Sequence, residues 1–172
     1  ISTLTRSKAD ITLRALELGA VDYIAKPVVD DLSMFHRYSN TVINKVKMAA
    51  RSRVGHSRLP IKRPALPATK ANRVLAIGAS TGGTEAINSV LQQLPAQSFA
   101  VVMTQHMPAG FTTTFADRLD RTTDFTVIEA QGGERIRPGY AYLAPGGLHM
   151  RVVRRGNDLF TDVFDGDKVC GH

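Results

Sequence analysis

At 172 residues the chain has room for one ordinary domain or for parts of two. Its 43% hydrophobic and 22% charged residues are those of a globular protein, no apolar run approaches the ~20 residues that span a bilayer, and a single cysteine, Cys170, excludes an intramolecular disulfide framework. The net charge of +7 does not point to nucleic acid, because ten of the 22 Lys and Arg residues crowd between Arg37 and Arg73 in a stretch without Asp or Glu, leaving 12 basic against 15 acidic side chains elsewhere.

A nucleic-acid reader is expected instead to set its basic residues on a folded face, so binding to nucleic acid is not expected. Nor is membrane insertion. No charged start followed by an apolar signal segment comes after Ile1, and a cytoplasmic setting is expected.

From Arg6 onward, Ile11, Leu13, Ala15, Leu16 and Leu18 predict a helix that Gly19 can cap, and Tyr23, Ile24 and Ala25 a short strand. A longer helix follows, started by Asp30 or Asp31, with Leu32, Phe35, Tyr38, Val42, Val46 and Ala49 recurring every three or four residues. Between Gly55 and Asn72 the prolines Pro60, Pro64 and Pro67 alternate with Lys and Arg and no apolar period survives, which reads as a semi-extended linker.

The α/β pattern restarts at Arg73. Val74 to Ile77 is a predicted strand, Thr84 to Leu94 a helix ended by Pro95, and Phe99 to Met103 a second strand, together a right-handed parallel βαβ unit. Phe111 to Leu119 reads as a helix, and Thr126 to Glu129 and Ala141 to Ala144 as short strands. His149 to Val153 and Leu159 to Phe164 flank Gly156 and Asn157 as a β-hairpin.

The chemistry concentrates in Gly78 to Gly82, a G-x-S-x-G run between a predicted strand and a predicted helix. Small residues allow the sharp turn that lifts a serine hydroxyl above the sheet edge, where the amide of Thr81 can meet an oxyanion. The rival reading is a phosphate-cradling loop. It is weakened because the spacing is not G-x-G-x-x-G and the second strand ends in Thr104, Gln105 and His106 rather than in an acid. His106 would stand beside Ser80 at the carboxyl edge of the sheet, placed to take the hydroxyl proton.

The histidine follows the serine by 26 residues, unlike the order of the α/β-hydrolases, where it comes last. No residue clearly supplies a third member. Asp158, Asp162, Asp165 and Asp167 read as turn and edge residues of the hairpin, His149 as a strand start that could also line a site, and Cys170 as non-catalytic. His36 and His56 have no metal-ligand partners at useful spacing, so no metal site is expected at either.

Ile77 to Gly83 (IGASTGG), Gln105 to Pro108 (QHMP) followed by Phe111 and Thr112, and Tyr142 to Met150 (YLAPGGLHM) resemble, in order and separation, the catalytic domain of the chemotaxis protein-glutamate methylesterases. The first segment resembles the end of a response-regulator receiver domain, with Ser2 as switch hydroxyl, Tyr23 as switch aromatic and Lys26 before Pro27.

The resemblance implies the C-terminal part of a (βα)5 receiver over residues 1–53, a basic linker over 54–72, and, over 73–172, part of a doubly wound, mainly parallel α/β methylesterase domain carrying a β-hairpin. It also implies hydrolysis of γ-glutamyl methyl esters on chemoreceptors without metal or organic cofactor, deamidation of selected glutamines there, and control by receiver phosphorylation from the chemotaxis histidine kinase. Ser80 would be the nucleophile, His106 the general base and Thr81 the oxyanion donor. The triad aspartate and the phosphoacceptor aspartate would lie outside the chain, which alone is then expected to be impaired. The alternative is a regulatory or anion- or nucleotide-binding α/β module without hydrolase activity.

Overall fold

The computed structural model describes residues 6–24, 32–51 and 73–167. Ser2, Ala25, Lys26, Pro27, Asp30, Asp31, His56, Cys170 and the linker over 54–72 lie outside these residues. The chain divides into two compact units, Ile1–Leu59 and Pro60–His172.

In the first unit α1 spans Arg6–Glu17 and α2 Leu32–Arg51. Ala9, Leu13 and Leu16 of α1 are buried, whereas Ile11 and Leu18 face outward. Gly19, at φ 105°, ends α1 as expected: its amide bonds the carbonyl of Leu16 and that of Ala20 the carbonyl of Ala15, the paired bonds of a Schellman cap. Tyr23 and Ile24 are irregular rather than the start of a strand. A strand exists only through a partner's ladder, and no strand stands beside this segment among the described residues of the unit.

What holds Tyr23 is Lys45 of α2, whose Nζ bonds the Tyr23 carbonyl and the Asp22 carboxylate, both at 2.9 Å, and lies 5.2 Å from the centre of the Tyr23 ring. Burial, aided by the Asp22 charge, pushes the Tyr23 phenol far above its ordinary pKa. Along α2, Tyr38, Val42 and Ala49 are half-buried but Val46 is exposed, so its apolar stripe is only partly covered.

The second unit is built on four parallel strands: β1 (Arg73–Ala79), β2 (Phe99–Gln105), β3 (Thr126–Glu129) and β4 (Tyr140–Leu143), in the spatial order β1-β2-β4-β3. Helices α3 (Gly83–Gln93) and α4 (Phe111–Thr122) make the crossovers from β1 to β2 and from β2 to β3. Both crossovers step the same way across the sheet, so the right-handed rule puts both helices on one face. A 2.8 Å ion pair between Arg118 of α4 and Glu85 of α3 joins them there.

From β3 the chain steps back to β4, and this reversal sends the connection over the opposite face. There the antiparallel hairpin of β5 (His149–Arg155) and β6 (Asp158–Phe164) packs. Val102, Ala130 and Tyr142 are buried on this side, with Ile128, Ile136, Met150 and Val163 against them. On the helical side Val101, Met103, Ile87, Leu91, Phe115 and Leu119 are almost inaccessible.

The β3–β4 connection is tied to the hairpin by backbone bonds from Gly133 to Thr161, Ile136 to Leu159 and Thr161 to Glu134. Buried Thr161 also donates its hydroxyl to the Glu134 carboxylate, which accepts the amides of Gln131 (2.7 Å) and Gly132 (3.0 Å) as well. Burial alone would raise the Glu134 pKa, but these hydrogen bonds outweigh it and hold the carboxyl below its usual value.

Such a group stabilises the fold above the unfolded-state pKa of about 4.3 and loses that contribution as pH falls through the lowered folded value. The urea midpoint of wild type should therefore exceed that of a Glu134→Gln variant at pH 7, with the gap closing below pH ~4. A gap independent of pH would show that the carboxylate charge contributes nothing.

Candidate active site

Three loops meet at the carboxyl edge of the sheet. Across the β1–β2 ladder Ala79 stands opposite Gln105, so Ser80 and His106 each leave the same rung, where neighbouring strands run about 4.8 Å apart. The ladder continues one bond further, from the His106 amide to the Ala79 carbonyl at 3.0 Å, which fixes the backbone of His106 beside that of the serine. Both Ser80 and His106 are exposed.

The turn after Ser80 is tight. The Gly83 amide bonds the Ser80 carbonyl at 2.8 Å, and Gly82 caps α3 in the left-handed region at φ 75°, a conformation that costs a side-chain-bearing residue about 1–2 kcal/mol. Thr81, between them, is half-buried. The strand, sharp turn and helix that a G-x-S-x-G nucleophile needs are therefore all present.

Gln105 lies beneath this turn. It shares the helix-facing side of β2 with Val101 and Met103 and is 7% exposed. Its Nε2 donates to the Ser80 carbonyl at 2.8 Å and approaches the His106 carbonyl at 3.5 Å, while its Oε1 has no partner among the described residues.

The loop after His106 runs through buried Met107 to Gly110, which caps α4 at φ 83°. Against it lies the loop after β4, tied back by the Ala144 amide to the Met103 carbonyl at 2.8 Å. The Gly146 amide donates to the hydroxyl of buried Thr112 at 2.9 Å. A Cβ on Gly146 would fall 2.6 to 2.7 Å from backbone atoms of Met107, Pro108 and Ala109. In the sequence this glycine-rich stretch stood inside the Tyr142 to Met150 motif, with no role read for Gly146 itself.

The other candidates fall elsewhere. His149 is the first residue of β5, opposite Phe164, with Nε2 3.0 Å from the Asp167 carbonyl. It borders an open groove of about 380 Å³ that also touches Gly78 and Thr104, on the face opposite the helices. Asp158 pairs with Arg135 and Asp162 with Arg151, each at 2.7 Å, and Asp165 caps the Gly166 amide, so these carboxylates serve the hairpin and its approaches. Among the described residues no cluster of His, Cys, Asp and Glu could hold a metal ion.

Comparison with known proteins decides what this edge belongs to. Residues 75–169 match the family model described as CheB methylesterase. The chain belongs to that family. It is 47% identical over its whole length to the protein-glutamate methylesterase/protein-glutamine glutaminase 2 of Shewanella oneidensis, covering 51% of that protein. It is 45% identical to the corresponding enzyme of Salmonella typhimurium, covering 50% of it.

The crystal structure of the Thermotoga maritima CheB methylesterase catalytic domain superposes with a TM-score of 0.56 at 36% identity, over 59% of this chain and 54% of that one. The mainly parallel α/β architecture is therefore the family's own. The chain spans about half the length of the curated relatives it matches.

Proposed function

We propose that this chain forms the nucleophile-bearing part of a cytoplasmic serine hydrolase that removes methyl esters from γ-glutamyl methyl ester side chains of chemoreceptors and deamidates selected glutamines there. The observation that carries the proposal is the shared rung from which Ser80 and His106 depart, in a chain matched by the CheB methylesterase family.

In this reading the His106 imidazole accepts the proton as the Ser80 oxygen attacks the ester carbonyl, and the Thr81 amide holds the resulting oxyanion. Collapse of the tetrahedral species breaks the ester C–O bond, and the imidazolium returns its proton to the departing methoxide, giving methanol and an acyl-serine. Water, deprotonated by His106, then cleaves the acyl-enzyme to the free glutamate and regenerated serine. For glutamine the leaving group is ammonia. The third member that orients His106 is assigned to a segment beyond the described residues.

Regulation belongs to the same reading: the first unit is the end of a receiver, with Ser2, Tyr23 and Lys26 as its switch residues, and the chemotaxis histidine kinase acts through the full receiver, on a phosphoacceptor aspartate that is not among these residues. Substitution of His106 by Ala in the full-length gene product should lower methanol release from methylated receptor by about 10³-fold or more without abolishing receptor binding. Release unchanged by this substitution would overturn the assignment of the base.

A further inference from the structure

We infer that Gln105 is the positioning residue that locks the Ser80 turn to the His106 strand end; the inference rests on the serine-hydrolase reading and deepens it. Four features converge on it. The side chain is 7% exposed, in a strand whose other helix-facing residues, Val101 and Met103, are apolar. Both oxygens close to its amide nitrogen, those of Ser80 at 2.8 Å and His106 at 3.5 Å, are backbone carbonyls, so the NH₂ group must face them.

The amide oxygen pays for this with no partner among the described residues, a burial that a leucine or methionine of similar size would avoid. Finally, α3 makes room for it. A Cβ on Gly83 would collide with the Gln105 amide oxygen and come within 2.6 Å of the Ala79 Cβ.

The Ser80 carbonyl thus accepts two hydrogen bonds, from the Gly83 amide at 2.8 Å inside the turn and from Gln105 across to β2. The first shapes the turn. The second fixes where that turn sits relative to β2, and so the separation of nucleophile from base. Gln105 faces away from the exposed edge and need not touch substrate, so its effect belongs in turnover and not in substrate binding.

The test uses the full-length gene product with Gln105→Leu, Gln105→Glu and Ser80→Ala variants, reading methanol release from methylated receptor and covalent labelling of the serine by a fluorophosphonate. Gln105→Leu should lower kcat by about 10²-fold with KM within about twofold, and slow labelling in parallel, as expected for a sub-ångström to ångström misplacement of reacting groups. Gln105→Glu keeps the shape but donates to the Ser80 carbonyl only while protonated. Its activity relative to wild type at each pH should rise as pH falls, a signature that packing alone would not give.

If Gln105→Leu does not fold, the Gln105→Glu profile decides. A flat ratio across pH, or a Gln105→Leu enzyme with wild-type kcat, overturns the inference. Failure of the parent reading looks different: wild type itself would then release methanol no faster than Ser80→Ala.

Discussion

On the proposed serine-hydrolase reading, replacing Ser80 by Ala in the full-length gene product should abolish methanol release from methylated receptor, by about 10⁴-fold or more, and with it all covalent labelling by fluorophosphonates. The size of the effect follows from position. Ser80 is exposed at the carboxyl end of β1, one residue beyond the rung it shares with the His106 strand, and its backbone is held through its carbonyl rather than its hydroxyl. Removing the hydroxyl therefore deletes the proposed nucleophile while leaving the two tethers of the turn, from Gly83 and Gln105, intact.

Stability should change by no more than ~0.5 kcal/mol, as for other exposed substitutions away from packing contacts. The same variant separates the two functional classes. An anion-binding module built on this turn would use the backbone amides of Thr81 and Gly82 and would be indifferent to the hydroxyl. Equal methanol release by Ser80→Ala and wild type would sink the hydrolase.

Much of this edge was legible from residue pattern, and the part that was not has a physical explanation. Gly78 to Gly82 between a strand and a helix announced the turn, and the rule that parallel strands joined by one crossover are neighbours placed His106 beside it; the register of Ala79 with Gln105 agrees. Gly19 announced its cap because only a left-handed residue closes a Schellman motif cheaply. Tyr23 and Ile24 misled because three apolar residues carry the composition of a buried strand whether or not a partner strand is present.

Gln105 and Gly146 were given no role of their own. The role of Gln105 depends on a long-range hydrogen bond to a carbonyl 25 residues earlier, which no local period encodes. One signal was available: in β2 the alternate positions Val101, Met103 and Gln105 share a face, and a polar residue at the buried phase of a strand calls for a partner.

Gly146 sets the second large effect. Its substitution by Ala would drive a methyl group to within 2.6 Å of the Pro108 carbonyl carbon, 2.7 Å of the Ala109 amide nitrogen and 2.7 Å of the Met107 carbonyl oxygen. All three are backbone atoms, so no side-chain rotation relieves the clash. Either the loop following β4 retreats, breaking the 2.9 Å bond from the Gly146 amide to buried Thr112, or the loop following His106 is pushed outward.

The first response costs an unsatisfied buried hydroxyl and the second disturbs the segment that begins at His106, the proposed base. Overpacking of this kind destabilises by about 1–3 kcal/mol, a melting temperature lower by roughly 5–15 °C, measurable by thermal denaturation. Gly147→Ala is the informative control. Gly147 has φ 86° but open space around its missing Cβ, so that variant bears only backbone strain of about 1–2 kcal/mol and no collision.

If the loops respond as a pair, Gly146→Ala should also lose at least about tenfold in kcat at temperatures where it is fully folded, while Gly147→Ala keeps its turnover. A Gly146→Ala protein that melts and turns over like wild type would mean that the close approach of these loops is not maintained in solution. Loss of stability with full turnover would mean instead that the loop after His106 can move without carrying the imbalance back to the imidazole, because the ladder bond from the His106 amide to Ala79 isolates it.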